Sequence, residues 1–174
     1  MVENKDRETL MLNLPPYDAF PTVSDGTVTL CEILPSDLES LLEISMYDGQ
    51  KAASVEEALE MLQKINANYQ SGDSVHWAIR DNPSGRLVGT CGYYRGFENG
   101  GELGCVLLPE FRGKGFMTKA LQLAIGFGLK TMKLQRVYAI TTSSNHKAMA
   151  LLERIGFVKT ADREGEEVEY SLKQ

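Results

Sequence analysis

The chain predicts a mixed α/β (α+β) fold, a mostly antiparallel sheet flanked by helices. Three observations carry this. Three strand-like segments follow one another between residues 75 and 108 with short links, the pattern of an antiparallel meander. Beyond residue 108 the period changes to helix alternating with strand. The 174 residues hold no internal repeat, low-complexity tract or dividing linker, and they suffice for one domain with its own core.

Each element has a local reason. Residues 1–25 carry Pro15, Pro16 and Pro21 without a clear period and read as an arm, laid on the surface or partly disordered. Residues 26–174 are expected to form the single domain. Residues 27–34 alternate and are β-branched, which predicts a strand. Pro35-Ser36-Asp37 opens a short helix to about Ser45, with Leu38, Leu41 and Leu42 on one face. Ser54-Val55-Glu56-Glu57 fits a capping box. The helix it starts presents Leu59, Leu62, Ile65 and Tyr69, and Gly72 ends it. Strands follow at 75–80, 86–95 and 102–108. Asn82-Pro83-Ser84-Gly85 turns the first pair, with Pro presetting φ and Gly supplying a positive φ. Helix 115–131, strand 136–141, helix 145–155 and strands near 157–160 and 168–172 complete the chain.

Composition excludes several classes. The chain is 43% hydrophobic and 24% charged, as in an ordinary soluble globular protein. Its net charge is −6 and its basic residues are spread out, so the field repels phosphate and no nucleic-acid partner is expected. No apolar run approaches the roughly 20 residues that span a bilayer, so no membrane partner is expected. Residues 1–9 lack an apolar signal core, and the expected location is cytoplasmic. Cys31, Cys91 and Cys105 stand singly in apolar strands. They read as reduced, buried thiols, with no disulfide framework and no metal site.

The chemistry concentrates at residues 103–118, LGCVLLPEFRGKGFMT. Pro109 stops the strand because it cannot donate to a ladder. Arg112-Gly113-Lys114-Gly115 then leads into an amphipathic helix. Two glycines let the backbone approach a ligand, and a helix start offers unpaired N–H groups. Arg112 and Lys114 add positive charge, so the segment suits an anion such as a pyrophosphate. An ordinary strand–helix turn is the bland alternative. A dinucleotide fingerprint would need glycine where Thr118 stands and an acid where Thr141 and Thr142 stand. A P-loop would need a Lys-Ser/Thr pair in this turn, where Gly115 follows Lys114.

Two blocks then match a known family in order and spacing. The first is Glu102-Leu103-Gly104-Cys105, Pro109-Glu110-Phe111 and the run from Gly113 through Phe116, Met117 and Thr118 to Ala120. The second starts at Asn145-His146-Lys147-Ala148 and ends at Leu151-Leu152-Glu153-Arg154-Ile155-Gly156-Phe157. Both resemble the acetyl-CoA-binding core of the GNAT superfamily of N-acetyltransferases. The likeness is greatest to the branch of the ribosomal-protein alanine N-acetyltransferases (RimJ/RimL-like). A weaker match through Trp77-Ala78-Ile79 and Leu87-Val88-Gly89 extends it over nearly the whole chain after about Thr27.

The resemblance implies a sheet splayed between its fourth and fifth strands, with coenzyme A in the cleft. Those strands would be 102–108 and 136–141. It implies acetyl-CoA as co-substrate, no metal, and a primary amine as acceptor. Backbone groups of Val106, Leu107 and Leu108 would pair with the pantetheine arm, and an N–H near Val106 or Leu107 would face the thioester oxygen. Arg112, Gly113, Lys114, Gly115, Phe116, Met117 and Thr118 would hold the pyrophosphate. Asn145 would reach the cofactor while capping its helix, and capping alone is its plainer role.

Glu102 is the candidate catalytic base. On a strand, Glu102, Gly104 and Val106 share a face, and burial makes a carboxylate more basic. A solvated or salt-bridged glutamate is the competing reading. Cys105 should face away from Glu102 and fill space. His76 and His146 are solitary, with no partner visible. Tyr93 and Tyr94 face opposite sides of the sheet, so one of them is a candidate for the acceptor pocket. The chain departs from its relatives in the hydroxyl that would protonate the thiolate: Ala148 and Leu152 stand at both usual positions. Water is the favoured donor, ahead of Tyr138 and Tyr170. A non-catalytic coenzyme A-binding sensor or regulatory protein is the rival reading. The acceptor, a protein N-terminus or a small-molecule amine, has no motif of its own, and either a monomer or a homodimer is expected.

Overall fold

The structure is a computed structural model that describes residues 11–173. Strands β1 (Val23–Ser24) and β2 (Val28–Cys31) come first. Helix α1 (Leu38–Leu41) follows between two 3-10 turns, Pro35–Asp37 and Leu42–Ile44. Next come β3 (Met46–Tyr47), β4 (Gln50–Lys51) and α2 (Val55–Gln70). The meander is β5 (Val75–Asp81), β6 (Leu87–Tyr94) and β7 (Gly101–Leu107). Then come α3 (Phe116–Lys130), β8 (Val137–Thr142), α4 (His146–Arg154), β9 (Phe157–Asp162) and β10 (Glu167–Leu172). Eight strands form one sheet in the order β1-β2-β5-β6-β7-β8-β10-β9, and β3 and β4 form a separate hairpin. Every pairing in the sheet is antiparallel except β7 with β8.

The exception opens the sheet. β7 and β8 are in register only at Gly101–Val137 and Glu102–Tyr138. Beyond Glu102 they part. β7 stays with β6 along its length, while β8 stays with β10 from Tyr138 to Thr142. This is the splay expected between residues 102–108 and 136–141.

The two faces of the meander differ. The odd-numbered face of β5 to β7 packs against α3. Trp77 and Tyr93 are buried there, with the Trp77 ring 5.3 Å from Phe127 and the Tyr93 hydroxyl donating to the Ala124 carbonyl at 2.8 Å. From residue 11 the arm lies against this core. Leu14, Tyr17, Phe20 and Val23 pack on it, Trp77 Nε1 donates to the Pro21 carbonyl at 2.9 Å, and Asn13 N–H bonds the Met132 carbonyl. Residues 1–10 of the arm lie outside the described residues.

Some boundaries moved for physical reasons. The helix expected at 35–45 breaks into 3-10 and α segments. At α2, the Ser54 hydroxyl accepts from Glu57 N–H at 3.2 Å, but the Glu57 carboxylate returns to Ala53 N–H at 2.7 Å, one residue before the cap. The β3–β4 hairpin was not foreseen, because two-residue strands carry no period.

Gly128 sits in α3 where an added Cβ would lie 2.2 Å from the Tyr93 hydroxyl. Gly128→Ala should therefore destabilise the fold, although alanine favours helix by about 1 kcal/mol, because overpacking costs about 1–3 kcal/mol. We expect a lower melting temperature in a thermal scan. Tyr93→Phe in the same chain should recover part of it by removing the obstructing oxygen. A Gly128→Ala protein as stable as its parent would mean that the core yields at Tyr93.

Candidate active site

The even-numbered face of the meander is polar where the sheet opens. Register aligns Tyr94 with Glu102, and Glu102 with Tyr138. His76 lies across from Gly92, and Gly92 from Gly104. Glycine is required at both places. A Cβ on Gly104 would come within 2.5 Å of the Tyr94 ring, and one on Gly92 within 2.5 Å of the Val75 carbonyl and 3.1 Å of the His76 ring. The two bare positions leave room for both rings over the sheet, where they meet edge to face at 5.2 Å and 89°.

A cleft of about 690 Å³ opens over this face. Glu102, Val106, Tyr94 and His76 line it from the sheet, Met117 and Leu121 from α3, Ala139 and Thr141 from β8, and Asn145 and Ala148 from the start of α4.

Glu102 is the carboxylate at the point of parting, with its side chain 13% exposed. Burial raises its pKa above the ordinary carboxylate range, and the Arg95 guanidinium, Nε to Oε2 3.8 Å, pulls the other way. The net direction is upward, which suits a proton acceptor. Across the parallel pair, burial also raises the Tyr138 phenol, and the Glu102 charge adds to this. The Arg136 guanidinium covers the Tyr138 ring at 4.4 Å.

The main chain of β7 is divided between its neighbours. Leu108 N–H bonds the Val88 carbonyl, while Gly101 N–H bonds the Arg136 carbonyl beside β8. Backbone groups alternate sides along a strand. Even-numbered residues therefore face β6, and odd-numbered residues face β8 or, past Glu102, the open cleft. This corrects one expectation. The main chains of Val106 and Leu108 are taken up by β6 and are not free to pair with a ligand arm. Cys105 faces the open edge with its main-chain groups and Leu107 with its N–H, the Leu107 carbonyl being held by Arg112, and Val106 contributes its side chain.

Past β7, Pro109–Phe111 forms a 3-10 turn. Arg112 Nε donates to the Leu107 carbonyl at 3.2 Å, tying the turn to the strand end. Gly113 and Gly115 have φ of 72° and 85°, and an added Cβ on either would meet nothing within 4 Å. Gly115 is the N-cap of α3, and the amides of Phe116, Met117 and Thr118 precede its first helical bond, Lys119 N–H to Gly115 carbonyl. Phe111 and Phe116 frame the turn edge to face at 5.7 Å, with Lys114 over Phe111 at 5.9 Å.

Of the residues singled out from sequence, Glu102, Val106, Met117 and Asn145 come together in the cleft lining. Leu107 and Leu108 turn their side chains into the core. Arg112, Gly113, Lys114, Gly115, Phe116 and Thr118 are not among the lining residues and form the adjoining turn and helix start. The Asn145 side chain caps α4, accepting from Ala148 N–H at 3.2 Å. Ala148 and Leu152 both line the cleft, so no hydroxyl arises from either position. Tyr170 is buried with its hydroxyl on Glu153, 3.3 Å away. Cys91 and Cys105 are free thiols across β6 and β7, and the Cys91 thiol is pushed up by its hydrogen bond with Cys105 and then by burial.

Sequence reasoning left His76 as a solitary strand residue and left Tyr94 undecided. Tyr94 lines the cleft and Tyr93 is core. A signal for both rings was present: a glycine inside a strand marks close approach, and Gly92 and Gly104 lie in adjacent strands. Among the described residues no cluster of His, Cys, Asp and Glu suits a metal ion, and no helix is long and apolar enough to cross a membrane.

Because Arg95 lowers the Glu102 pKa against the rise from burial, Arg95→Gln should raise it further. A carboxyl-carbon NMR titration should show Glu102 protonating at higher pH in the variant. A midpoint that stays put or falls would mean that the Arg95 charge is not felt at the carboxylate.

Residues 28–158 match the acetyltransferase (GNAT) domain family. The uncharacterized N-acetyltransferase YoaA of Bacillus subtilis (strain 168) is 26% identical over 149 residues, 80% of this chain and 84% of its own length. The [ribosomal protein uS5]-alanine N-acetyltransferase of Escherichia coli (strain K12) is 28% identical over 101 residues, 56% of this chain and 52% of its own. The spermidine N(1)-acetyltransferase of the same strain is 34% identical over 56 residues, 32% of this chain and 30% of its own. Among solved structures, Mycobacterium smegmatis RimJ in complex with CoA-disulfide superposes with a TM-score of 0.75 at 16% identity, covering 88% of this chain and 87% of that one. With the splayed sheet, the glycine turn and the family match agreeing, the chain belongs to the GNAT family and is an N-acetyltransferase, with its likeness running to the RimJ/RimL-like branch.

Proposed function

We propose that the protein moves an acetyl group from acetyl-coenzyme A to a primary amine by direct attack on the thioester. The observation that carries this is Glu102. It is a carboxylate of raised basicity at the point where β7 and β8 part, beside an unpaired strand edge. The neighbouring turn fits the cofactor. Gly113 and Gly115 leave open space where other residues would place a Cβ, and the amides of Phe116, Met117 and Thr118 lack helical partners. Such a turn suits a pyrophosphate, and the open edge at Cys105 and Leu107 suits the amides of a pantetheine arm.

In this reading Glu102 takes a proton from the acceptor's ammonium, directly or through water, and the freed lone pair attacks the carbonyl carbon. The Leu107 N–H, on the open edge, donates to the carbonyl oxygen as it gains charge. Collapse of the tetrahedral species breaks the carbon–sulfur bond. A thiol of pKa about 8.5 leaves tolerably as thiolate near neutral pH, and the proton that the attacking nitrogen sheds as the amide forms reaches the thiolate through water. The absence of a hydroxyl at Ala148 and Leu152 accords with that. The same absence favours the second reading, a coenzyme A binder that does not catalyse.

Two measurements test the proposal. Glu102→Gln should lower turnover by about 10²–10⁴-fold, the usual cost of losing a general base, while acetyl-CoA affinity holds. Wild-type turnover in that variant would remove Glu102 from the mechanism. Tight acetyl-CoA binding without thiol release for any amine would support the binder. Gly113→Val should weaken acetyl-CoA binding sharply in calorimetry. Gly96→Val is the control, since Gly96 has a similar φ of 75° and equally open surroundings in the link before β7, at the other end of that strand. Equal affinities in the two variants would count against the turn as the pyrophosphate site.

A further inference from the structure

The acetyl-transfer reading, on which this inference rests, needs a proton route longer than one side chain. Glu102 stands where β7 and β8 part, and the Leu107 N–H that would hold the thioester oxygen lies further along β7. At about 3.3 Å per residue, the two are roughly 16 Å apart along the strand. A glutamate side chain spans under half of that, and a proton passes only between atoms about 2.6–3.2 Å apart. The reacting nitrogen therefore needs an intermediary to reach Glu102. The ground between them on the same face is Gly104 and Val106.

Tyr94 occupies that ground. It is paired with Glu102 across β6 and β7, and its ring leans forward over Gly104, where an added Cβ would meet Cε2 at 2.5 Å and Cζ at 3.4 Å. Cζ is the atom that carries the hydroxyl. The ring is braced edge to face by His76. It lines the main cleft and also a smaller cavity of about 180 Å³ between the α1–α2 segment and the sheet, and Val106 borders both. The Tyr94 side chain is only partly buried. Among the described residues no hydrogen bond engages its hydroxyl, and that oxygen is not one of the sealed, unpartnered polar atoms, which are Ser74 Oγ and His76 Nε2. The ring is thus held by packing while its oxygen stays free toward the cleft. Burial pushes the phenol pKa well up, and Cys91, Cys105 and then Glu102 add to this, so the phenol keeps its proton through the neutral range. The imidazole beside it is neutral there, its pKa held down at about 4 by burial.

We propose that the Tyr94 hydroxyl is a catalytic relay that carries the proton from the acceptor's ammonium to Glu102. One N–H proton of the ammonium passes to the phenol oxygen while the phenol's own proton passes to a Glu102 carboxylate oxygen. The nitrogen gains the lone pair that attacks the thioester, the carboxylate becomes a carboxyl, and the phenol ends as it began. Such hydrogen bonds are often long without substrate and tighten once it binds. Phenylalanine would fill the same space over Gly104, so a tyrosine is needed there only for its oxygen. Gly104 in turn keeps the route open, since a side chain at that position would push the ring away.

Tyr94→Phe in the full chain tests this, because it keeps the ring against His76 and removes only the oxygen. Its melting temperature and acetyl-CoA affinity should match the parent's. Thiol release from acetyl-CoA is followed with the fastest of a panel of primary amines, such as spermidine, n-butylamine and an alanine-initiated peptide. At pH 7 kcat should fall about 10²-fold, the low end for lost acid–base catalysis. Two further readouts separate a relay from other roles. The double variant with Glu102→Gln should be no slower than Glu102→Gln alone, because both groups move one proton. The Tyr94→Phe deficit should also shrink as pH rises toward the ammonium pKa of the amine, since a free amine needs no base. Loss of an acid for the thiolate would leave the deficit undiminished. Parental kcat in Tyr94→Phe beside an impaired Glu102→Gln would overturn the relay and leave acetyl transfer standing. Deficits that multiply in the double variant, a deficit that pH does not relieve, or a lowered melting temperature would do the same. No thiol release with any amine would instead refute acetyl transfer, and the relay with it.

Discussion

The site depends on a strand that loses its neighbour halfway along. Backbone N–H and C=O groups are obligatory hydrogen-bonding groups, and a strand inside a sheet has them satisfied on both sides. β7 has β6 on one side throughout, and β8 on the other only through Gly101 and Glu102. The odd-numbered main-chain groups past that point face a cleft. Such an edge would ordinarily be covered or blunted. In the proposed reaction a single consequence serves both halves. The exposed amides are placed for a ligand that can pair like a strand, and the residue at the point of divergence, Glu102, is held half under cover with its carboxylate in the same opening.

Glycine shapes the floor of that opening. Gly92 and Gly104 are in register on neighbouring strands and carry no side chains, so the Tyr94 and His76 rings come in over the bare backbone and pack edge to face. The rings give a floor that is polar in its atoms and apolar in its faces. The wall from α1 and α2 is aliphatic, and α3 and α4 add the other side. The cleft thus has two chemistries: helix-start amides and strand-edge amides toward the glycine turn, and neutral rings with aliphatic side chains away from it. Val106 faces both.

What was legible in the sequence was whatever local chemistry dictates. Ser54 with Glu57 marked the start of α2, Asn82-Pro83-Ser84-Gly85 marked the turn into β6, and Pro109 with Gly113 and Gly115 marked the end of β7 and the start of α3. Alternation put Glu102, Gly104 and Val106 on one face, as they are. What was not legible depended on which neighbour a strand bonds. Alternation names the face of a side chain, but the side to which Val106 and Leu108 send their main-chain groups follows from the β6 register, which only the fold fixes. The β3–β4 hairpin escaped because four paired residues have no period, and His76 escaped because its partner is a ring eighteen positions away, brought near by the meander.

Glu102 owes its basicity to burial more than to its neighbours, and this bears on how a base operates in a chain of net charge −6. Arg95, the nearest cation, has a side chain 76% exposed and stands 3.8 Å off, so solvent screens much of its pull. The other cations near this end of the sheet are engaged. Arg136 pairs with Glu169 and donates to the Ser171 hydroxyl, and Arg163 reaches the same Glu169 at 3.6 Å. Glu167 and Glu169 push the Glu102 pKa up, against Arg95 and Arg163. The fixed charges oppose one another and desolvation is the largest influence, so in the proposed reaction an amine that fills the cleft excludes more water and adds to it. In the proposed reaction, arrival of the acceptor strengthens both the attraction between its ammonium and Glu102 and the preference of the carboxyl for its proton. Transfer of that proton leaves two neutral partners, which the low dielectric of the closed cleft favours over the ion pair.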